Sequence, residues 1–370
     1  MYQIKRAEML ATNIYLMDVE APRVAKHCEP GQFVIVKIDE KGERVPLTIC
    51  DYDREAGTVT IVLQTIGAST EKMSHLKEGD YFRDFVGPLG CASEFVNEDI
   101  EELKKKNILF VAGGVGAAPV YPQVKWLHNH GVKADVIVGS KTKDLLILEE
   151  EMKAVAGNYY PCTDDGSYGH AGMVTSKIER LVNEEGKKYD LCVAIGPMIM
   201  MKFACLTTKK LEIPTIVSMN PIMVDGTGMC GACRVTIGGK TKFTCVDGPE
   251  FDAHLVDFDE AIRRQSMYKT HEIATDSEDH KCNLTAAVNH TIKKSRVPVR
   301  EQDAIVRVKN FDEVCYGYTM EEAMEEADRC LQCKNPGCVS ACPVSIDIPA
   351  FIKQIRGGHV GHFAQAYKII

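Results

Sequence analysis

Seven of the fifteen cysteines fall in two short stretches whose spacing is that of metal chemistry. The first runs Asp225, Cys230, Cys233, Cys245, with four, two and eleven residues between successive members. This is the spacing of a [2Fe-2S] loop, in which closely spaced ligands wrap the centre and the last returns from a hairpin. Gly226, Gly228 and Gly231 free the backbone to curl around sulfur. Three thiolates and a carboxylate also suit Zn²⁺, because spacing alone does not name the metal. The second stretch is Cys330-x2-Cys333-x4-Cys338-x3-Cys342-Pro343. It follows the ferredoxin rule in which the fourth cysteine serves a different cluster from the first three, except that its middle gap has four residues instead of two. His359 and His362 are substitute ligands in principle, although a Gly-Gly-His-Val-Gly-His run also reads as a solvent-exposed loop. A third element, Gly113-Gly-Val-Gly116-Ala-Ala-Pro119, follows an apolar run directly. Glycines there let the backbone approach a pyrophosphate at a helix N-terminus, where free N–H groups and the helix dipole favour anions. A strand-to-helix turn without a ligand is the alternative, and Pro119 at the last position departs from the G-x-G-x-x-G fingerprint.

At 370 residues the chain exceeds what one core serves, so two to three domains are expected. The longest apolar stretch, 107–121, is broken by Gly113, Gly114 and Gly116, so no membrane span is expected. The N-terminus lacks the apolar core of a secretory signal, which implies a cytoplasmic protein. A net charge of −8 leaves no basic face for nucleic acid. Fifteen cysteines in such a chain argue for metal chemistry or buried thiols, not disulfides. Cys28, Cys50, Cys91, Cys162, Cys192, Cys205, Cys282 and Cys315 lie mostly in apolar runs and read as small hydrophobes.

The elements that must hold these residues are legible in outline. Residues 1–97 show short β segments (32–37, 44–51, 57–65) between Gly, Pro and charged turns, the pattern of a small barrel. From 107 onward, β-rich runs at 107–112, 135–138, 190–195 and 215–219 alternate with helical stretches at 145–154 and 174–184. That alternation predicts a parallel, doubly wound sheet over 98–219. Residues 220–265 are too short for a core of their own and need a metal to organise them. Residues 266–310 are polar and weakly periodic, as a linker is. Within 311–370, Thr319-Met-Glu-Glu322 is a capping box that opens a helix running into Cys330.

The residues also carry a resemblance. Gly-Gly-x-Gly-x-Ala-Pro after a strand, Ile195-Gly196-Pro197-Met198 at a strand end, and Arg44-Val-Pro-Leu-Thr48 after Pro30-Gly31-Gln32-Phe33 resemble the ferredoxin–NADP reductase superfamily. The resemblance implies FAD binding. Arg44 would neutralise the pyrophosphate, with Pro46, Leu47 and Thr48 beside the isoalloxazine, Val62, Leu63 and Gln64 on the adenosine-side strand, and Gly67, Ser69 and Thr70 as a second phosphate loop. It places NAD(P) on Gly113, Gly114, Gly116, Ala118 and Pro119, on Gly139 and Ser140, and on Gly196, Pro197 and Met198. With the [2Fe-2S] loop after these, the chain resembles the electron-transfer subunit of dihydroorotate dehydrogenase B and the small subunit of the bifurcating NADH-dependent ferredoxin:NADP oxidoreductase. Subunits of the dihydroorotate type carry four cysteines. Asp225 at the first position resembles the bifurcating relative, whose cluster uses an aspartate ligand. The run Arg329-Cys-Leu-Gln-Cys-Lys-Asn-Pro with Cys342-Pro-Val resembles the start of the glutamate synthase small-subunit family, which carries two [4Fe-4S] clusters. Here Cys330, Cys333, Cys338 and Cys342 are an incomplete ligand set, expected to be completed by another polypeptide or by sequence beyond a truncation.

The expected architecture is multidomain: a β-barrel flavin domain, an α/β doubly wound nucleotide domain, a small [2Fe-2S] domain and a C-terminal helical iron–sulfur fragment. The expected function is transfer of electrons between NAD(H) or NADP(H), FAD and iron–sulfur centres. The partner would be ferredoxin or a glutamate synthase small-subunit-like flavoprotein. No acid–base side chain is required, and none is named. Two other readings stand beside this one, an electron-transfer partner of a dihydroorotate dehydrogenase and a non-catalytic iron–sulfur scaffold. Ser140, Lys141 and Lys143 leave NAD against NADP open.

Overall fold

Short runs of β-branched and aromatic residues alternate inward and outward through the first ninety positions. In the computed structural model, which describes residues 1–40, 42–267, 296–330, 332–333, 336–342, 346–357, 366 and 369, they form one seven-stranded antiparallel sheet. Its strands are β1 (Tyr2–Ala11), β2 (Ile14–Glu20), β3 (Phe33–Lys37), β4 (Val45–Asp53), β5 (Thr58–Gln64), β6 (Tyr81–Phe82) and β7 (Asp84–Leu89), in the order β6-β1-β2-β5-β4-β3-β7. The two edge strands are neighbours in sequence, so the sheet curls until it is nearly a closed barrel. Ile4, Met17, Val34, Val36, Ile61, Leu63, Phe82 and Phe85 fill its interior. Helices α1 (Pro22–His27) and α2 (Ala68–Ser74) lie in its connections.

The second sheet is parallel apart from one edge. Strands β8 (Ile108–Gly113), β9 (Ala134–Ser140), β10 (Asn158–Thr163), β11 (His170–Ala171), β12 (Leu191–Ile195) and β13 (Thr215–Ser218) run in the order β11-β10-β9-β8-β12-β13. The order reverses between β8 and β12, and open α/β sheets bind ligands beyond the carboxyl ends of the strands at such a switch point. Helices α3 (Ile100–Leu103), α4 (Ala117–Asn129), α5 (Glu149–Val155), α6 (Val174–Asn183) and α7 (Met198–Lys210) belong to this half. Barrel and α/β sheet share a core: Leu16, Cys50 and Val62 pack with Ala117, Val120 and Val124 of α4. Lys125 of α4 reaches Asp51 of β4 at 2.7 Å.

A hairpin follows, β14 (Arg234–Ile237) with β15 (Lys240–Phe243), then α8 (Thr244–Asp247), β16 (Glu250–Asp252) and α9 (Phe258–Gln265). Strand β16 lies within the stretch read as the iron–sulfur domain, yet it pairs antiparallel with β13 and extends the α/β sheet.

The chain divides into two compact units, Met1–Glu278 and Asp279–Ile370. Residues 268–295, most of the expected linker, lie outside the described residues. Its last part carries structure, because Arg300–Glu301 pairs with Cys315–Gly317 and Ala304–Arg307 is helical. In the second unit the expected capping box is present. Thr319 Oγ1 accepts from Glu322 N at 3.2 Å, and Glu322 Oε2 accepts from Thr319 N at 2.7 Å. The helix so opened, Met320–Ala327, packs against Ile348–Arg356. Among the described residues no helix is long and apolar enough to cross a membrane.

Five of the scattered cysteines, Cys28, Cys50, Cys162, Cys192 and Cys205, are buried as expected. Cys91 and Cys315 are exposed, a correction to that reading, and Cys282 lies outside the described residues. Cys91 belongs to a loop that touches the iron–sulfur segment: its amide donates to Gly248 O at 2.7 Å and its thiol to Val246 O at 3.2 Å.

Candidate functional site

The cysteine loop is built on left-handed turns. Gly226, at φ 82°, comes so close to Ile35 of β3 that a Cβ would lie 2.8 Å from it, and Gly228, at φ 89°, would place one 2.5 Å from Val246. No larger residue fits either turn. Cys233 and Cys245 are buried with Phe33 and Ile35 of the barrel, beside Val86, Leu89, Met223 and Phe243. The short module thus borrows its core from β3 and β7.

Two of the four expected ligands are in sulfur–sulfur contact. Cys233 and Cys245 have their sulfurs 3.3 Å apart, and burial, with the neighbouring Cys233 thiol, pushes Cys245 up to about 12. Cys230 is exposed, and its thiol is held below its ordinary value, first by the amide of Ala232 and also by those of Asp225 and Val224. The Asp225 charge acts on that same sulfur in the opposite sense. Asp225 takes the posture of a turn cap: its Oδ2 accepts from Thr227 N at 3.0 Å and from the Thr227 hydroxyl, and these bonds hold its carboxyl below the usual range.

Orphaned polar atoms surround this loop. Thr244, fully buried next to Cys245, has an Oγ1 with no partner, and the Nε atoms of Arg44 and Arg264 are buried and unpartnered too. Buried polar groups are almost always hydrogen-bonded. Donors left over beside the cysteines and on Arg44 therefore fit anionic groups at both places.

Arg44 stands immediately before β4 and its Nη2 donates to the carbonyl of Asp225 at 2.9 Å. One guanidinium thereby touches the flavin element and the cysteine loop. Pro46, Leu47 and Thr48 are half-buried along β4, paired with Ile35, Val34 and Phe33. Ser69 donates to Glu43, which brings the 67–70 turn beside Arg44. Thr70 Oγ1 is occupied by its own loop, accepting from the amides of Ile66 and Gly67 at 2.9 and 3.1 Å. Val62 and Leu63 point into the shared core and the barrel core, leaving only their backbone to a ligand, whereas Gln64 is exposed.

At the switch point lies a cavity of about 550 Å³. Gly113, Gly114, Gly139, Ser140 and Pro197 line it, as expected, and Gln64 joins them. Gly116, Ala118, Pro119, Gly196 and Met198 are not among its lining residues. Gly116 is a packing glycine, since a Cβ there would lie 2.2 Å from Ile195 O. Gly196 likewise lets two strand ends approach, with a Cβ position 3.0 Å from Gly113 O. Ala118, Pro119 and Met198 are buried in the core. The sequence reading missed the apolar wall of Met173, Ile199, Met200 and Phe203, and it missed Asp164. Asp164 follows β10 and makes no ion pair among the described residues. Lys141 lines the cavity, whereas Lys143 lies over the Tyr168 ring at 5.2 Å.

In the second unit, Cys330 and Cys342 are half-buried and Cys333 and Cys338 exposed. Gln332, at φ 51°, donates to Cys330 Sγ at 3.4 Å and to Pro349 O at 3.0 Å. Arg329 Nε is buried without a partner beside Cys330. His359 and His362 lie outside the described residues.

Known proteins resemble this chain over most of its length. Residues 220–257 match the family described as "Iron-sulfur cluster binding domain of dihydroorotate dehydrogenase B", and residues 307–370 match dihydropyrimidine dehydrogenase domain II, 4Fe-4S cluster. The chain is 44% identical over 270 residues to a "Dihydroorotate dehydrogenase B (NAD(+)), electron transfer subunit homolog" of Thermotoga maritima, covering 73% of this chain and 92% of the relative. It is 35% identical over 251 residues to the dihydroorotate dehydrogenase B (NAD(+)) electron transfer subunit of Geobacillus thermodenitrificans, covering 66% of this chain and 93% of that one. A solved structure, reported as "Insights into flavin-based electron bifurcation via the NADH-dependent reduced ferredoxin-NADP oxidoreductase structure", matches with TM-score 0.69 and 42% identity, over 74% of this chain and 96% of that one. With a ferredoxin reductase-like barrel, a cavity at the switch point of the α/β sheet and a cysteine loop against the barrel, the chain belongs to the family of dihydroorotate dehydrogenase B electron-transfer subunits, flavin and iron–sulfur oxidoreductases.

Proposed function

We propose that this chain takes electrons from NADH at the 550 Å³ cavity, holds FAD through Arg44, Pro46, Leu47, Thr48 and the 67–70 turn, and delivers electrons singly to a [2Fe-2S] centre on Asp225, Cys230, Cys233 and Cys245. The observation that carries this reading is the Arg44 Nη2 to Asp225 O bond at 2.9 Å, which joins the flavin element to the cysteine loop through a single side chain. When bound, flavin supplies the exchange between two-electron hydride chemistry and one-electron transfer. The chain's own residues do the rest. Arg44 neutralises pyrophosphate charge, and Gly113 and Gly114 leave room for the dinucleotide backbone. Met173, Ile199, Met200 and Phe203 offer the nucleotide an apolar wall. NADH is favoured over NADPH because the Asp164 carboxylate in the cavity suits a ribose 2′-hydroxyl and repels a 2′-phosphate.

The electrons then leave to a partner flavoprotein. A complex of the bifurcating ferredoxin:NADP type is favoured by Asp225 at the first ligand position and by the match of residues 307–370 to a 4Fe-4S domain. Cys330, Cys333, Cys338 and Cys342 are proposed as ligands that another segment completes. No disulfide joins any of the fourteen described cysteines, which suits a reducing compartment such as the cytoplasm. Anaerobic stopped-flow reduction tests the reading: NADH should bleach the flavin absorbance much faster than NADPH, and a flavin that neither nucleotide reduces would refute it.

A further inference from the structure

One cation beside the cysteine loop belongs to neither the flavin element nor the nucleotide cavity. Helix α9 lies beyond residues 220–257, the stretch that matches the cluster-binding family. It buries Phe258 and Ala261 and packs against α7 and β14. Arg264, three residues after Ala261, falls on the same inward face. Its Nη2 donates to the carbonyl of Ala232 at 3.1 Å, and its Nε is buried with no partner. Ala232 stands between Cys230 and Cys233, so this bond ties α9 to the middle of the cysteine turn. The guanidinium thus holds the backbone of the turn between two of the proposed ligands. A buried charged donor without a partner is costly, and a centre of thiolates and sulfide is the anion it lacks. A guanidinium can hold a carbonyl with one N–H and turn another inward, which an ammonium on a flexible stem does less well.

We propose that Arg264 positions the Cys230–Cys233 turn and raises the reduction potential of the [2Fe-2S] centre, by placing a fixed positive charge beside a group that gains negative charge on reduction. Net charge and hydrogen bonds to sulfur are among the levers on such potentials, and neighbours of the ligands exert them. The proposal rests on the iron–sulfur reading above. The test uses the full chain with its cofactors and two substitutions. Arg264→Gln keeps an N–H for Ala232 O and removes the charge, whereas Arg264→Lys keeps the charge and gives up the fork. Iron and acid-labile sulfide are measured first. Potentials are then titrated by EPR at liquid-nitrogen temperature, where [2Fe-2S] signals persist and [4Fe-4S] signals broaden away. Both variants should retain the centre, with Arg264→Gln shifted to more negative potential and Arg264→Lys lying between it and the parent. A parental potential in Arg264→Gln, or an equal shift in both variants, would overturn the charge role. So would loss of the centre from both alike, because a charge effect requires the lysine to retain more. A parent chain lacking sulfide and EPR signal would instead sink the iron–sulfur reading itself.

Discussion

Removing the Arg44 side chain should strip the protein of flavin. The guanidinium is half-buried, donates one N–H to Asp225 O at 2.9 Å and keeps a buried Nε free for a further acceptor. Truncating one partner of a buried, hydrogen-bonded charge pair costs roughly 2–5 kcal/mol. At about 1.4 kcal/mol per decade, FAD binding in Arg44→Ala should weaken by between about 30-fold and several thousand-fold. Arg44→Lys should recover only part, since an ammonium cannot serve the pyrophosphate and the Asp225 carbonyl in one fork. Fluorescence titration of FAD into deflavinated protein measures the affinity directly. Iron content should fall in the alanine variant as well, because the same side chain holds the cysteine loop. A parental flavin affinity in Arg44→Ala would refute both the pyrophosphate role and the shared-residue argument.

Asp225→Cys should keep the [2Fe-2S] centre and lower its potential, because a thiolate gives iron more charge than a carboxylate; an unchanged EPR spectrum and potential would remove Asp225 from the ligand set. Asp164→Ser should raise the efficiency of NADPH relative to NADH by about tenfold to a hundredfold, the range of one charge-assisted hydrogen bond, and steady-state diaphorase assays with both nucleotides check it. Glu250 accepts from Ser93 Oγ at 2.9 Å and Gln123 Nε2 at 2.8 Å, and burial pushes its carboxyl up to about 7 from the ordinary 4.5. The folded chain then holds a proton that the unfolded chain gives up, so stability is full below the ordinary carboxyl range and falls as pH rises through 7. The loss is about 3 kcal/mol at most, since Glu250 also borders a cavity of about 470 Å³ that admits water. Glu250→Gln should therefore raise the unfolding midpoint at pH 8 and leave it unchanged at pH 4, which parallel thermal melts would show.

Strands β3, β4 and β5 of the barrel and β8, β9, β12 and β13 of the doubly wound sheet were legible as short β-rich runs, whereas β2, with Asp18 inside it, was not. Strands β6 and β7 were not, because Arg83, Asp84 and the Gly87-Pro88 pair break the apolar pattern where the barrel closes. Pro161 hid β10, and with it the loop that carries Asp164. The helix expected from 145 begins at Glu149, after Leu148 takes a left-handed φ of 54°. The cysteine loop could be read from spacing, since a loop places close neighbours in sequence around one point, although spacing alone does not name the metal. The apolar wall of the cavity could not, because Ile199, Met200 and Phe203 have the pattern of helix core. Among the glycines, the sequence shows which positions need a bare backbone but not the reason. Gly113 and Gly114 border the cavity, while Gly116 and Gly196 serve the packing of two strand ends. Arg264 was invisible because its partner, Ala232, lies far away in sequence and is reached only through the packing of α9.

The central claim is that electrons from NADH cross the flavin to the cysteine loop. Freeze-quench EPR on anaerobically purified full-length protein mixed with NADH tests it most directly. The account predicts flavin bleaching followed by the signal of a reduced [2Fe-2S] centre, integrating to about one spin per chain. Zinc in place of iron, or a flavin that NADH bleaches while the cluster stays oxidised, would contradict it.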